Sequence, residues 1–274
     1  MAGSRGSARI WSIALNRHSE QTNREYDKIS SVLNDNTSGA DPNQDRPLLH
    51  FHGRRLGKPL RVNHRKLVDE MLPGLRIADP ASPEVSFTEP LDGIWLEIGF
   101  GGGEHLVAQA RANPGIGFIG AEPFINGIAK VLSVIEREKL ANIRLHDDDA
   151  RPLLDALPDA GIDRAFLLFA DPWPKKRHNK RRFVTPENLD RLARVLKDGA
   201  ELRFASDHSE YVAWALERLC AHPAFEWLAR RPADWRTPPE DWVPTRYQEK
   251  AEARGEVCTF LRFRRRPRQD LKHT

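Results

Sequence analysis

Short apolar segments alternate with helical segments over much of this chain, and this alternation limits the fold more than any other feature. Ile125 to Lys139 has apolar residues at the 3.6-residue spacing of a helix, and Ala165 to Ala170 is a continuous apolar run typical of a central strand. The predicted helices are Glu104–Ala112, Ile125–Lys139, Arg151–Leu157, Thr185–Leu196 and His208–Cys220. The predicted strands are Ile94–Ile98, Gly117–Ala121, Ile143–His146, Ala165–Ala170, Glu201–Ala205 and Val257–Arg264, with an antiparallel orientation open for the last. This order predicts an α/β fold with an open, doubly wound, mostly parallel sheet.

The composition excludes several classes of protein. Of the 274 residues, 39% are hydrophobic and 30% are charged, which supports a packed core, and the formal charge of +4 does not by itself indicate a nucleic-acid partner. The longest apolar run, Ala165 to Ala170, is much shorter than the ~20 residues that cross a bilayer, and the N-terminus has no signal-peptide pattern. Cys220 and Cys258 are too few for a disulfide framework or a cysteine zinc site. We therefore expect a cytoplasmic protein with no membrane contact.

The two ends of the chain differ from its middle. Residues 1–50 are polar, so we expect a disordered or weakly structured extension. Residues 51–90 form a basic arm and lead-in, in which Gly53 to Lys66 has six Lys or Arg and no acid. That segment alone favours a solvated arm over a phosphate-contacting one. Residues 91–266 form the predicted α/β domain, and residues 267–274 form a basic tail.

A glycine-rich loop joins the first predicted strand to the first helix, with the sequence EIGFGGG from position 97 to 103. A phosphate-binding P-loop requires Gly-Lys-Ser/Thr, and a dinucleotide loop would have glycine at position 104, where this chain has glutamate. Glu97 ends the strand, and Gly99, Gly101 and Gly103 allow a ligand to approach the backbone. This pattern suits a ligand with a cationic end and no phosphate, such as S-adenosylmethionine. The alternative is a tight turn that binds nothing.

Two further carboxylates fall where this fold would place them around a nucleoside. Glu122 ends the second strand, 19 residues after Gly103, where an acid can accept hydrogen bonds from ribose hydroxyls. Asp149 directly precedes the next helix and is suited to meet the adenine amino group. The triplet Asp147-Asp148-Asp149 is also consistent with a solvated acidic turn.

The apolar strand Ala165–Ala170 is followed by Asp171-Pro172-Trp173-Pro174 and a basic loop. Parallel strands bring their carboxyl ends to one edge, so Asp171 is expected to face the same crevice as the glycine loop. The loop from Lys175 to Arg182 contains six Lys or Arg and no acid. Cationic side chains beside the flat rings of Trp173 and His178 suit an RNA backbone with an unstacked base.

Taken together, these residues resemble the bacterial tRNA (guanine-N7-)-methyltransferases. The similarity covers roughly residues 50–265. It is carried by LEIGFG from 96 to 101, GAE from 120 to 122, DPW from 171 to 173, Lys175, RHNKRR from 177 to 182, SD at 206–207 and TRY from 245 to 247. The combination of DPW and RHNKRR is specific, whereas the glycine loop alone is not. The resemblance implies a seven-stranded sheet of the Rossmann-like class I methyltransferase type.

The resemblance also implies the substrates and the site residues. The methyl donor would be S-adenosylmethionine, with S-adenosylhomocysteine as product, and the acceptor would be N7 of a guanine in the tRNA variable loop. The residues matched to the cofactor are Glu97, Gly99, Gly101, Gly103, Glu122, Asp149 and Asp171, and Asp171 is also matched to catalysis. Those matched to the substrate are Lys175, Asp207, Thr245, Arg246, Tyr247 and Gln248. Those matched to RNA are Arg177, His178, Asn179, Lys180, Arg181 and Arg182.

One position departs from the family pattern. The family has Glu after Thr-x-Phe/Tyr, whereas here Gln248 follows Tyr247 and Glu249 comes next. Whether Gln248 or Glu249 takes the role of that glutamate is left open by the sequence. The oligomeric state and the set of tRNAs are open as well.

The chemistry of guanine N7 sets what the residues must do. N7 is a lone-pair nucleophile with no proton to lose, so the transfer needs positioning and electrostatics rather than a general base. Neither His50 and His52 nor Ser206-Asp207-His208 forms a credible metal site or triad, so no metal is expected. Two alternatives remain: methylation of an exocyclic amine in RNA or DNA, and RNA binding without catalysis. Product analysis and cofactor binding distinguish them.

Overall fold

The computed structural model describes residues 51–269, so the expected disordered extension over residues 1–50 lies outside it. The strands are β1 (Gly93–Ile98), β2 (Ile116–Ala121), β3 (Ile143–His146), β4 (Ile162–Leu168), β5 (Leu196–Ser206), β6 (Phe225–Trp227) and β7 (Thr259–Arg265). They form one seven-stranded sheet in the order β3-β2-β1-β4-β5-β7-β6. The first five strands pair in parallel, and β7 runs antiparallel to both β5 and β6. The predicted α/β class with a mostly parallel sheet is confirmed.

Helices cover both faces of this sheet. They are α1 (Val62–Glu70), α2 (Leu72–Leu75), α3 (Glu104–Ala112), α4 (Ile125–Glu138), α5 (Ala150–Ala156), α6 (Pro186–Val195), α7 (Ser209–Ala221), α8 (Ala233–Arg236) and α9 (Arg246–Ala253). Short 3-10 helices span Pro83–Ser86 and Lys176–Arg181. Local chemistry explains several starts, since Thr185 Oγ1 accepts a hydrogen bond from Asn188 N and Pro186 occupies the first turn of α6. Within residues 51–269 no helix has the length and apolar character needed to cross a membrane.

Two apolar layers hold the helices to the sheet. Leu96, Ala165 and Leu167 of the central strands pack with α5, α6 and α7 on one face. On the other face, Phe118 and Ile143 pack with α3 and α4. Both faces of the central strands are therefore covered, which explains their nearly continuous apolar sequences.

The predicted and observed elements differ in two places at the far side of the sheet. Strand β5 begins at Leu196, earlier than the predicted Glu201, because its pairing with β4 shifts register next to Gly199, whose φ is +82°. Strand β6 was not among the predicted segments, since three residues are too short for a periodic signal. The late strand β7 is antiparallel, the orientation that the sequence left open.

The lead-in segment, residues 51–61, is not a free solvated arm. The backbone N–H of Ile125 donates to the Arg55 carbonyl oxygen over 3.1 Å, and the Asn126 amide donates to the Lys58 carbonyl oxygen over 2.8 Å. These bonds lay the segment across the start of α4. Near the C-terminal end of the described residues, the buried Arg265 and the nearby Arg268 donate to carbonyl oxygens at the end of α6. These two arginines therefore hold β7 and the residues after it to α6.

Candidate methyl-donor and RNA site

The glycine loop after β1 has left-handed backbone conformations that residues other than glycine rarely adopt. Gly99, Gly101 and Gly103 have φ values of +74°, +56° and +76°. A Cβ on Gly103 would lie 2.1 Å from Cγ2 of Val131, so α4 packs directly against the loop. A Cβ on Gly99 would meet nothing within 4 Å, which leaves open space beside the loop.

Glu122 ties the end of β2 to this loop. Its carboxylate accepts hydrogen bonds from the backbone N–H groups of Gly101, over 2.7 Å, and Phe124, over 2.9 Å. Burial raises the pKa of Glu122; the two hydrogen bonds oppose this, and the negative charges of Asp171 and Glu97 add to it. Three carboxylates from three parallel strands therefore share one end of the sheet.

Glu97 is buried at the end of β1 and has a histidine partner. His105 Nδ1 lies 2.7 Å from Glu97 Oε2. Because a carboxylate oxygen only accepts, Nδ1 carries the proton and donates it to this bond. The imidazole is enclosed by Phe166 and Trp242, and its Nε2 has no hydrogen-bond partner within the described residues.

Asp149 begins α5 and is engaged by its own helix. Its side chain accepts from the backbone N–H of Arg151 over 3.0 Å and forms an ion pair with the Arg151 guanidinium. Asp148 pairs with Arg55 over 2.6 Å. The Arg76 guanidinium donates to Asp147 and lowers the pKa of that carboxyl. Each carboxylate of the acidic triplet is thus paired with an arginine, and Asp148 remains exposed to solvent.

The donor set at this edge fits S-adenosylmethionine. A crowded group of carboxylates favours a cation, and the methyl donor carries an ammonium and a sulfonium. Carboxylate oxygens also accept from ribose hydroxyls, and the glycine loop lets a ligand approach the backbone. The same crowding opposes a phosphate, in line with the pattern of the sequence.

Asp171 lies beyond β4 in a loop with unusual backbone angles. Phe169 and Trp173 adopt left-handed conformations, with φ values of +52° and +44°. The side chain of Asp171 is exposed to solvent, yet desolvation by the surrounding protein atoms raises its pKa, and the charge of Arg54 opposes that shift. Arg54, from the lead-in segment, therefore lies within electrostatic reach of the carboxylate.

The basic loop divides into exposed and buried cations. Lys175, Arg177 and Lys180 are exposed, while the Arg181 guanidinium lies 5.1 Å from the Trp173 ring centroid. His178 meets the same ring edge-on. Arg182 differs from the prediction, because its side chain is fully buried and cannot reach an RNA phosphate in this conformation.

The segment that begins at Thr245 lies against the glycine loop. Thr245 Oγ1 accepts from the backbone N–H of Gln248 at the start of α9, and the ring of Tyr247 would lie 3.0 Å from a Cβ on Gly101. Arg246 donates to the Tyr247 hydroxyl over 3.0 Å. Asp207, after β5, is partly buried and lies 3.3 Å from Arg254.

Gln248 is buried and uses its amide inside the protein. Its Oε1 accepts from Trp242 Nε1 over 2.6 Å, and its Nε2 donates to Glu252 Oε1 over 2.8 Å. Glu249, the next residue of the same helix, is exposed. The amide therefore holds α9 to the Trp242 loop, the segment between α8 and α9. The sequence did not predict this internal role of Gln248.

Three contributors to the site were not singled out from the sequence. They are Arg54, His105 and Trp242. Arg54 belonged to a basic run, but nothing in the run separated it from its neighbours. For His105 and Trp242 the sequence carried no signal, because their contacts depend on tertiary packing. In residues 51–269 no group of three or more His, Cys, Asp or Glu side chains is placed to hold a metal ion.

Comparisons with known proteins agree with this geometry. The family model Methyltransf_4, described as "Putative methyltransferase", matches residues 92–261. The tRNA (guanine-N7-)-methyltransferase of Rhodospirillum rubrum is 52% identical over 225 residues, which cover 80% of this chain and 88% of that protein. This chain is also similar to the enzyme of the same name from Ruegeria pomeroyi, which is 52% identical over 81% of this chain and 96% of that protein. The enzyme of that name from Rhizobium meliloti is 50% identical over 78% of this chain and 94% of that protein. The chain therefore belongs to the tRNA (guanine-N7-)-methyltransferase family.

Proposed function

We infer that this protein transfers a methyl group from S-adenosylmethionine to N7 of a guanine in the variable loop of tRNA. One observation carries the inference. A chain about half identical to tRNA (guanine-N7-)-methyltransferases has a group of carboxylates at one end of its sheet, followed by an exposed basic loop. A cationic donor and a polyanionic acceptor would thus be bound side by side. With tRNA as substrate, the protein acts in the cytoplasm.

In this proposal the glycine loop and the carboxylates hold the methyl donor. Gly99, Gly101 and Gly103 offer backbone, Glu97 faces the amino-acid end, and Glu122 accepts from the ribose. Asp149 borders the adenine. When bound, S-adenosylmethionine supplies an electrophilic methyl group on its sulfonium.

Asp171 orients the guanine and balances its charge. The Watson–Crick edge of guanine carries N–H donors, and a carboxylate accepts from them. Methylation leaves a positive charge on the purine ring, which the nearby carboxylate stabilises. No proton leaves N7, so Asp171 acts as an acceptor and a charge rather than as a base.

The acceptor RNA is held by two sets of residues. Exposed cations of the basic loop neutralise phosphates, and Trp173 and His178 present flat surfaces to bases. The proposed RNA contacts are Lys175, Arg177, His178, Asn179, Lys180 and Arg181. The proposed contacts with the target nucleotide are Asp207, Thr245, Arg246 and Tyr247, with Gln248 supporting them from behind.

The test uses labelled S-adenosylmethionine, total tRNA and nucleoside analysis. We expect 7-methylguanosine as the product, formed by the wild type and nearly lost in Asp171→Asn, since the amide is isosteric but uncharged. Asp159→Asn is the matched control, because Asp159 pairs with Arg194 at the opposite edge of the sheet. A methylated exocyclic amine as the only product would contradict the inference, and unchanged turnover in Asp171→Asn would remove Asp171 from the mechanism.

A further inference from the structure

Arg182 is the one cation of the basic loop whose side chain is completely enclosed, with 0% of it exposed. Its Nε donates to the carbonyl oxygen of Pro172 over 2.8 Å. Its Nη2 lies 3.1 Å from Oε1 of Glu210, which stands in the first turn of α7. The guanidinium thus connects the residue next to Asp171 with the start of a helix.

The guanidinium also packs against aromatic rings of α7. Its central carbon lies 5.0 Å from the ring centroid of Trp214 and 5.4 Å from that of Tyr211. Trp214 in turn donates from Nε1 to the Val184 carbonyl oxygen over 2.7 Å. Burying a guanidinium is costly unless it is hydrogen-bonded and paired; the bonds to Pro172 and Glu210 offset this cost, while Nη1 has no partner within the described residues.

The segment that Arg182 contacts is one that needs support. Pro172 lies between Phe169 and Trp173, two non-glycine residues in left-handed conformations. Such residues cost about 1–3 kcal/mol each and persist only where the surrounding structure enforces them. The bond to the Pro172 carbonyl lies one residue after Asp171, so it fixes the backbone that carries the catalytic carboxylate.

The amide of Asn179 supports the same loop. It lies 3.2 Å from the Trp173 carbonyl oxygen and 3.3 Å from that of Lys175, and donates to both when its nitrogen faces them. By contrast, Arg177 and Lys180 are exposed and touch neither carbonyl. The basic loop therefore contains two kinds of residue with different tasks.

We propose that Arg182 is a positioning residue that fixes the Asp171-Pro172-Trp173 segment, and that it does not bind RNA. This assignment rests on the proposed function, because the segment matters only if Asp171 handles the guanine. It predicts that loss of the Pro172 bond lowers the turnover number and loosens the loop, while the number of phosphate contacts stays the same.

The first measurement needs no activity. Trypsin cleaves after Lys and Arg, and the loop offers such sites from Lys175 to Arg181. We expect Arg182→Met, which keeps length and packing but loses the donors, to be cleaved in this loop about tenfold faster than the wild type, the factor for one lost hydrogen bond. Lys180→Gln is the control and should leave cleavage after Lys175 and Arg177 unchanged.

The second measurement compares kinetics with tRNA binding across a salt series. Arg182→Met should lower kcat by roughly 10- to 100-fold, the cost of a misplaced catalytic group, with the salt slope of tRNA binding unchanged. Lys180→Gln should flatten that slope by about 0.7–0.9. Asp159→Asn, at a residue that pairs with Arg194 away from the site, is the control that should change neither kcat nor the slope. Arg182→Lys, which retains a charge and a donor, should recover part of the turnover and serves for all measurements if Arg182→Met does not fold.

The outcomes separate this assignment from the proposed function. A flatter salt slope in Arg182→Met, with wild-type kcat and wild-type cleavage, would overturn the assignment and make Arg182 an RNA contact. Wild-type protein that fails to methylate tRNA would overturn the proposed function instead, and the trypsin measurement would still report whether Arg182 holds the loop.

Discussion

His105 and Glu97 are eight positions apart in the chain and share a hydrogen bond inside the protein. The imidazole is rigid because Phe166 and Trp242 enclose it, so the carboxylate that accepts from Nδ1 has a fixed direction. A preoriented carboxylate binds a cation without first losing side-chain entropy. At the scale of the residue, we therefore expect His105 to act through Glu97.

We expect His105→Leu to weaken S-adenosylmethionine binding by about tenfold or more, since a hydrogen bond to a charged group contributes about 1.5–3 kcal/mol. His105→Asn places an amide N–H near the position of Nδ1 and should recover part of that affinity. Titration calorimetry with the purified protein measures both. His222→Asn, at a histidine that pairs with Asp190 at the far end of α7, is the control. Equal affinities in all three variants would show that Glu97 needs no partner.

Burial of Glu122 predicts how methyl-donor binding depends on pH. Its pKa is raised, so this carboxyl takes up a proton at a higher pH than an ordinary glutamate near 4.3. The protonated form has no charge to attract a cation, and we therefore expect affinity for S-adenosylmethionine to fall on acidification from above that ordinary range. Dissociation constants measured between about pH 7 and pH 4 test this. Glu122→Gln should bind more weakly at neutral pH and vary less with pH, and an unaltered profile would exclude Glu122 as its cause.

At the scale of the element, α9 depends on a buried amide. Gln248 accepts from Trp242 with one end and donates to Glu252 with the other. A glutamate at this position could still accept from the indole, but would face the Glu252 carboxylate. Glutamine at position 248 therefore complements Glu252, one turn later on the same helix, because it can donate to that carboxylate.

We expect Gln248→Glu to lower the free energy of unfolding by about 1–3 kcal/mol, because the bond to Glu252 is lost and two carboxylates meet. The double variant Gln248→Glu with Glu252→Gln restores a donor opposite an acceptor and should regain most of the loss. Urea unfolding of the wild type, both single variants and the double variant gives the coupling energy. Additive effects would mean that the two side chains do not interact.

Periodic elements could be predicted from the sequence, and pairings between elements could not. Helix α3 and strand β3 have the predicted bounds, because their apolar spacing is a local property. Arg177 and Arg182 look alike in a basic run, yet the aromatic rings that enclose Arg182 come from α7, some thirty residues later. The role of Gln248 was undetermined for the same reason, since Trp242 reaches it through the fold. Motifs predicted the candidate site, and tertiary packing determines which of its residues are exposed and which are enclosed.

At the scale of the whole molecule, charge is sorted by position. Carboxylates converge at the ends of β1, β2 and β4, whereas the exposed cations lie on the basic loop that follows β4. In the proposed function, a small cation and a large polyanion would meet opposite charges on adjoining surfaces, and we expect each to be bound by its own set of residues.

The double variant Arg177→Ala with Lys180→Ala tests this separation. If each side chain contacts one phosphate, the slope of log tRNA affinity against log salt should become shallower by about 1.4–1.8 in total. Affinity for S-adenosylmethionine should stay at the wild-type value, because both side chains are exposed on the basic loop. Arg191→Ala, at a residue of α6 that pairs with Asp155, is the control and should change neither quantity. A slope identical to that of the wild type would remove these two residues from the RNA surface.

The place of β7 in the sheet has a consequence for how the protein is made. Strand β7 is the last to be synthesised, yet it lies between β5 and β6 and supplies Phe260 to the apolar cluster beneath the Trp242 loop. Until the ribosome has delivered Thr259–Arg265, the growing chain has an unpaired β5 edge, the kind of surface that joins other chains. The glycine loop after β1 is therefore synthesised long before the strand that completes the pairing of β5.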